Sequence, residues 1–202
     1  MRAMRSLFNQ DWLLLVGTSA PSKVFRLDSS IRKVNRKYIS RLVDFARTCD
    51  QKCSLDLKVR LHPSDNGWGW RKYFEGEMAK MLVGSDLNIS YQLARSRLVI
   101  YTCNSTGYFE YIAMNIPTIV IFDTRAEPLR ADAVELFKKM EAVGLFFESF
   151  IDAHKFIMAK NGDFSEWWDS PEVRAVIQIL RSNYFTDVCR PEKTIGSLLR
   201  EK

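Results

Sequence analysis

The chain has 202 residues, of which 47% are hydrophobic and 27% are charged, and its formal net charge is +6. This composition excludes a disordered chain, and no apolar run reaches the roughly eighteen residues that a membrane span needs. The length suits one large domain or two small ones, and we expect a single domain over residues 1–202.

Five short apolar segments, rich in β-branched or aromatic residues, predict buried strands. In chain order they are Trp12–Gly17, Leu55–Leu61, Leu98–Thr102, Thr118–Phe122 and Leu145–Phe147. His62-Pro63 has to leave the second strand, because proline fixes its own backbone and restricts the residue before it.

Helical spacing of apolar residues predicts the elements between and after these strands. The predicted helices are Arg36–Cys49, Arg71–Leu82, Ile89–Arg95 with Ser90 as a cap, Tyr108–Met114, Arg130–Val143, Phe150–Lys160, a short turn at Trp167-Trp168, Pro171–Tyr184 and Glu192–Arg200. Alternating strands and helices predict an α/β fold, a Rossmann-like parallel sheet flanked by helices, with the helices from about 164 packing back on it.

Ligands of such sheets bind at the carboxyl ends of the strands, so the loops after Gly17, Leu61, Thr102 and Phe122 are the candidates. The strongest signal is the turn after the third strand. Ser105 and Thr106 offer hydroxyls there beside the free amides of a helix start, which attract phosphate, and the Glu110 carboxylate is suited to ribose hydroxyls. The same residues also fit an ordinary helix cap and a first-turn acid, and the sequence does not separate the two interpretations.

The second signal is Arg60 and His62 at the end of the second predicted strand. Arginine is suited to phosphate, and an imidazole at this edge suits phosphate binding or protonation of a leaving group, so we assign His62 the catalytic role. A turn histidine that stabilises a loop is the alternative. Gly17 and Thr18 are weaker nucleotide-binding candidates, since a plain strand-ending turn has the same pattern.

Several other classes of site are disfavoured. There is no GxGxxG or Walker loop, no carboxylate cluster for a metal, and no RNA-recognition, zinc-finger or helix-turn-helix signature, so we expect no metal, no cofactor and no nucleic-acid partner. The basic excess suits an anionic ligand or an anionic membrane face. The loop residues Asp123, Arg125, Glu127 and Arg130 either line the cleft or form only a charged loop.

The expected location is the cytoplasm. Asp11 directly precedes the first apolar run, and no clean cleavage site follows it, which argues against a signal peptide. The cysteines have poor spacing for zinc, and nothing else indicates secretion, so we interpret them as reduced thiols. They are Cys49, Cys53, Cys103 and Cys189.

Three segments carry a family resemblance: STGYFEYIAMNIPTIVIFD, LRADAVELFKKMEAVGLFFES and EWWDSPEVRAVIQILRSNYF. They resemble transferases of bacterial surface-carbohydrate biosynthesis, GT-B-type proteins of spirochaetes and other bacteria. VGTSAPSKVFRLDS and VRLHPSDNGWGW look like the same family, so the resemblance covers nearly the whole chain. It implies that the chain corresponds to the C-terminal, donor-binding half of a GT-B fold.

The resemblance also implies a donor class and partners. His62-Pro63 with Ser105-Thr106 is similar to motifs of CMP-sugar transferases of sialic acid and Kdo, and of CDP-glycerol polymerases of teichoic acid synthesis. Glu110 is similar to the carboxylate that holds the donor ribose in GT-B enzymes. A CMP- or CDP-linked sugar, a glycan or lipid-linked acceptor, an N-terminal half or partner chain, and peripheral contact with the inner membrane are the expected partners.

Two alternatives remain open at this stage. A chain without the other GT-B half is also consistent with a non-catalytic fragment or scaffold domain. A nucleotide-sugar epimerase shares the architecture and uses no acceptor.

Overall fold

A computed structural model describes residues 5, 8–17, 29–63, 69–84 and 87–184. The strands of this part are β1 (Trp12–Val16), β2 (Asp56–Arg60), β3 (Ser96–Tyr101), β4 (Thr118–Ile121) and β5 (Phe146–Phe147). They form one sheet in the order β2-β1-β3-β4-β5, and all neighbours are parallel. The α/β, Rossmann-like prediction is confirmed, and each strand lies within two residues of its predicted bounds.

The α-helices are α1 (Ser29–Lys52), α2 (Ile89–Arg95), α3 (Gly107–Ala113), α4 (Val134–Ala142), α5 (Phe150–Ala159), α6 (Ser165–Trp168) and α7 (Pro171–Tyr184). The predicted helix Glu192–Arg200 lies outside the described residues. None of the helices in the described part of the chain has the length and apolar character that crossing a membrane requires.

Some predicted helix bounds are wrong. The segment predicted as one helix over Arg71–Leu82 forms two 3₁₀ turns, Trp70–Tyr73 and Gly76–Met81. The first turn ends with Phe74 as its cap, and the second begins at Gly76, whose left-handed backbone with φ 60° does not continue a helix. The helix α1 begins at Ser29, well before Arg36. Ile31 and Val34 stand at helical spacing from Tyr38, so the sequence carries a signal for these turns and the predicted start is too late.

Two smaller corrections concern helix starts. The segment predicted from Arg130 opens with a 3₁₀ turn, Ala131–Ala133, before α4 begins. The cap of α2 is Asn88 and not Ser90: the Asn88 side chain accepts a hydrogen bond of 2.8 Å from the Ser90 amide.

The sheet buries both faces. Leu13 and Leu15 of β1 belong to a large core cluster that also holds residues of α1 and α4 to α7. Leu14 and Val16 face a smaller cluster with Leu93 of α2. Every residue of β1 is buried, as expected for an interior strand of a covered parallel sheet.

The strand order defines a switch point. The chain places β2 on one side of β1 and the strands β3, β4 and β5 on the other side. In open α/β sheets of this 2-1-3-4-5 order, the ligand crevice lies outside the carboxyl ends of the two strands at the switch, here β1 and β3.

Candidate functional site

The ends of three strands meet at this crevice. Arg60, Val16 and Tyr101 are in register across β2, β1 and β3. With a strand spacing of about 4.8 Å, the Cα atoms of Arg60 and Tyr101 lie roughly 10 Å apart. In-register side chains of a parallel sheet share a face, so both lie on the face of the smaller cluster, against which Tyr101 packs.

Tyr111 on α3 links the charged residues that the sequence predicts for this site. Its ring centroid lies 5.9 Å from that of Tyr101. Burial raises the pKa of Tyr111 to about 12, Tyr101 and Glu110 act in the same direction, and the positive charge of Arg60 acts against them. The positive charge of Arg60 on β2 thus acts on the phenol of Tyr111, the residue that follows Glu110 in α3.

These two charges do not neutralise each other. Arg60 is half-buried, and its Nη1 donates a hydrogen bond of 3.3 Å to the carbonyl oxygen of Leu87. Glu110 is exposed, and its carboxylate makes no hydrogen bond or ion pair with another described residue. A cation and a carboxylate that face one crevice without pairing are suited to different parts of one ligand.

The turn after β3 is held by its own hydroxyls. The Ser105 hydroxyl donates to the Tyr101 hydroxyl at 3.0 Å, and the Gly107 amide lies 3.5 Å from Ser105 Oγ. Thr106 is the N-cap of α3 and is exposed, but its side chain makes no capping hydrogen bond. Thr106 therefore does not act as an ordinary side-chain cap of the helix. Ser105 does so only through its 3.5 Å contact with the Gly107 amide.

Gly107 allows Tyr101 to reach the start of α3. A Cβ atom added at Gly107 would lie 2.5 Å from the Tyr101 hydroxyl oxygen and 2.9 Å from its ring carbon Cζ. Glycine suits this position because the Tyr101 side chain occupies the space that a larger residue would need. This close approach fixes the Tyr101 hydroxyl between the strand end and the helix.

The sequence left open whether Glu127 lines the cleft or only belongs to a charged loop, and the structure gives it a contact in the turn after β3. The amide of Asn104 donates to Glu127 Oε2 at 2.7 Å. Burial raises the pKa of Glu127, and the Asn104 hydrogen bond opposes that rise. No spacing in the sequence signals this contact, because it joins the loops after β3 and β4 across the sheet edge.

The remaining predicted residues of β1 and β2 lie at the same edge. His62 and Pro63 follow β2 and are exposed, and residues 64–68 beyond them lie outside the described part of the chain. The Gly17 amide donates to the Arg60 carbonyl at 3.0 Å, so this amide extends the ladder of the sheet. Thr18 lies outside the described residues, and the roles of His62 and Thr18 stay predictions.

The floor of the crevice is tied to α1. The Thr102 hydroxyl donates to the Val16 carbonyl at 2.9 Å. Since its proton is used there, the Tyr38 hydroxyl is the donor in the 2.6 Å contact with Thr102 Oγ1. This chain of hydrogen bonds fixes the ends of β1 and β3 relative to α1.

The loop after β4 uses its charges internally. Arg125 binds Asp123 through two side-chain hydrogen bonds of 3.0 Å, and Arg41 of α1 lies 4.0 Å from the same carboxylate. The Arg125 hydrogen bonds lower the pKa of Asp123. Within the described residues, no three His, Cys, Asp or Glu side chains are grouped as a metal site would require.

Two motifs that carry the family resemblance form a structural clamp elsewhere. Asn115 has a left-handed backbone with φ 59°, and its Oδ1 accepts hydrogen bonds from Trp168 Nε1 at 3.1 Å and from Arg174 at 2.5 Å. Arg174 also pairs with Asp169 and lies over the Trp168 ring. The Asn-Ile-Pro-Thr and Trp-Trp motifs thus hold α6 and α7 to the core.

The fold and these contacts define an α/β protein of Rossmann-like architecture whose polar side chains gather at the switch point of a parallel sheet. The chain belongs to a transferase family: the model described as "LIC12162 family transferase" matches residues 3–199. Searches of curated proteins and of solved structures gave no match.

Proposed function

We propose that this transferase is the donor-binding domain of a glycosyltransferase, which binds a nucleotide-activated sugar for bacterial surface polysaccharide synthesis. The observation that carries the proposal is the strand register of Arg60, Val16 and Tyr101 at the switch point, where Tyr111 packs against Tyr101 and the neighbouring Glu110 is exposed. Membership of a transferase family supports it. A charged nucleotide needs both a cation for its phosphate and an acceptor for its sugar hydroxyls.

In this proposal the phosphate lies between Arg60 and the turn after β3. A guanidinium gives a planar pair of donors that matches phosphate oxygens. The Thr106 hydroxyl adds a donor on the other side, and the Ser105 hydroxyl adds one when it exchanges its bond to Tyr101 for the phosphate. Since α3 has only seven residues, its dipole is a small contribution, and the arginine supplies most of the charge.

The nucleoside lies along α3. The exposed Glu110 carboxylate accepts hydrogen bonds from the ribose hydroxyls, and Tyr111 bounds the crevice beside it. The similarity of the His-Pro and Ser-Thr pairs to CMP- and CDP-using enzymes favours a cytidine nucleotide. A uridine nucleotide would fit the same phosphate and ribose contacts, so the base has to be tested directly.

His62 is the proposed catalytic residue. It follows the same strand as Arg60, and a protonated imidazole there would stabilise the leaving phosphate without a metal ion. The acceptor, a glycan or a lipid-linked glycan, would come from an N-terminal half or a partner chain. The protein would then work in the cytoplasm, with peripheral contact to the inner membrane.

Calorimetric titration with CMP, CDP and UDP tests the proposal. We expect a cytidine nucleotide to bind, and His62→Ala and Ser105→Ala each to weaken it by at least about tenfold, the cost of one charge-assisted hydrogen bond. Lys138→Ala is the matched control, since Lys138 pairs with Glu135 on the exposed face of α4. Preference for UDP would keep a glycosyltransferase and discard the cytidine donor.

The same titration separates the alternatives. A folded chain that binds none of the three nucleotides would contradict the donor site and favour a scaffold role. Binding followed by conversion of the sugar with no acceptor present would favour an epimerase.

A further inference from the structure

A pair of sulfur groups lies at the opposite edge of the sheet from the proposed donor site. Cys49 is in the last turns of α1, and Cys53 directly follows the helix. The Cys53 amide donates to the Cys49 carbonyl at 2.8 Å, so the two residues are one helical turn apart. Helix geometry then gives a Cα–Cα distance of about 6 Å, within the range of disulfides. The Cβ atoms of such a pair lie about 5–6 Å apart, so a bridge also needs a small movement of Cys53, which lies just beyond the end of the helix.

The two thiols differ in exposure. Cys49 is fully buried, and Cys53 is only partly buried. Cys53 lines a small cleft with room for about one water molecule, a volume of about 20 Å³, together with Lys52, Ser54, Met158, Asn161 and Gly162. A reagent in solvent therefore meets Cys53 first.

The surroundings of the two sulfurs also differ. The Cys53 thiol lies 3.5 Å from the Met158 sulfur, a weak acceptor. The Cys49 thiol donates a hydrogen bond to Cys53, which lowers the pKa of Cys53 and outweighs burial and the Asp50 carboxylate, both of which raise it. The same hydrogen bond and burial raise the pKa of Cys49. Cys53 is therefore suited to attack a disulfide first, and Cys49 is suited to attack Cys53 in a second step.

We propose that Cys53 and Cys49 form a reactive thiol pair that takes low-molecular-weight disulfides, with Cys53 as the attacking thiol and Cys49 as the resolving thiol. The Cys53 thiolate attacks one sulfur of the small disulfide, and a thiolate leaves with the proton that Cys53 lost. Cys49 then attacks Cys53 Sγ, and its proton goes to the second leaving thiolate. Two cysteines are oxidised to one disulfide, and one small disulfide is reduced to two thiols.

The test uses the full chain with oxidised glutathione at neutral pH, followed by peptide mass spectrometry. All proteins carry Cys189→Ser, because Cys189 lies outside the described residues and its thiol would compete. We expect an intramolecular Cys49–Cys53 disulfide in this background. The Cys49→Ala variant should instead accumulate glutathione on Cys53, and Cys53→Ala should leave Cys49 unmodified.

Cys103→Ala is the matched control, since Cys103 is buried at the other edge of the sheet, and it should not change the reaction. If Cys49→Ala fails to fold by circular dichroism, limited alkylation of the parent chain replaces it, and Cys53 should react at least about tenfold faster than Cys49 and Cys103. Equal modification of Cys53 and Cys103, or no mixed disulfide on Cys53 in folded Cys49→Ala, would overturn the proposal.

Discussion

The switch-point site and the Asn115 clamp both contain motifs that identify the family, but their polar groups are used differently. In the clamp, the Asn115 carbonyl, the Trp168 indole and the Arg174 guanidinium bind one another. At the switch point, Arg60 donates to the Leu87 carbonyl and makes no ion pair with Glu110, which is exposed. The motif residues therefore serve packing in one region, and in the other they leave charges that the proposed donor site would use.

The largest expected effect is on the clamp. Trp168→Ala should lower the free energy of unfolding by about 3–5 kcal/mol, because it removes a buried ring and leaves Asn115 with one partner fewer. Urea titration followed by circular dichroism measures this. Ile151→Ala is the control, since Ile151 is 69% exposed and should change the stability little. A loss below about 1 kcal/mol in Trp168→Ala would contradict a structural role.

At the switch-point site we expect a loss of ligand affinity with little loss of stability. Arg60→Gln should weaken nucleotide binding by about 1.5–3 kcal/mol, the value of hydrogen bonds to a charged group, and leave the melting temperature nearly unchanged. Calorimetry and a thermal melt of the same sample give both numbers. An equal loss of stability and affinity would mean that Arg60 holds the fold, and the contrast with the clamp would fail.

Gly107→Ala should disturb both properties, because a methyl group would overlap the Tyr101 hydroxyl. We expect a stability loss of about 1–3 kcal/mol, as for other overpacked sites. Adding Tyr101→Phe should recover part of it by removing the oxygen nearest to the new methyl. Denaturant titrations of both single variants and of the double variant measure the coupling, and strict additivity would argue against the close approach.

The smallest effect concerns Glu127 and pH. Burial raises its folded-state pKa above the ordinary value of 4.5, so the folded state holds this proton more tightly than the unfolded state does. Its contribution to stability is complete below that ordinary value and is lost as pH rises through the raised pKa. Glu127→Gln should remove this pH dependence, as urea titrations from pH 4 to pH 7 would measure. An unchanged pH profile would contradict the assignment.

The strands were predictable, because buried parallel strands leave continuous apolar runs such as Trp12–Val16. The helix α1 was predicted too short, although Ile31 and Val34 stand at helical spacing from Tyr38, because the Ser, Arg and Lys residues around them are also typical of a loop. The break at Gly76 depends on a left-handed backbone that glycine permits but does not impose. Helix ends were therefore harder to predict than strands, because they depend on local sequence preferences, which are weaker than the burial of apolar residues.

The candidate site divides in the same way. Arg60, Ser105 and Glu110 could be named as candidates from the sequence, because each lies near the end of an element at the expected ligand edge, and their roles stay predictions. Tyr111 could not be named, and Glu127 was only one of several possible cleft residues, since its contact joins the β4 loop to the β3 turn. Contacts of this kind can be predicted only when the strand order is known, because they join residues that are far apart in the sequence.

The central claim is that a nucleotide occupies the crevice around Tyr111. The most direct measurement is NMR of the chain with ¹³C-labelled tyrosine rings during titration with CMP, with Tyr111→Phe to assign its signal. The account predicts that the ring signals of Tyr101 and Tyr111 shift, while that of Tyr91, which packs against Trp12 at the start of β1, does not. Binding that shifts Tyr91 and leaves Tyr101 and Tyr111 unchanged would contradict the account, as would saturating nucleotide that shifts no tyrosine at all.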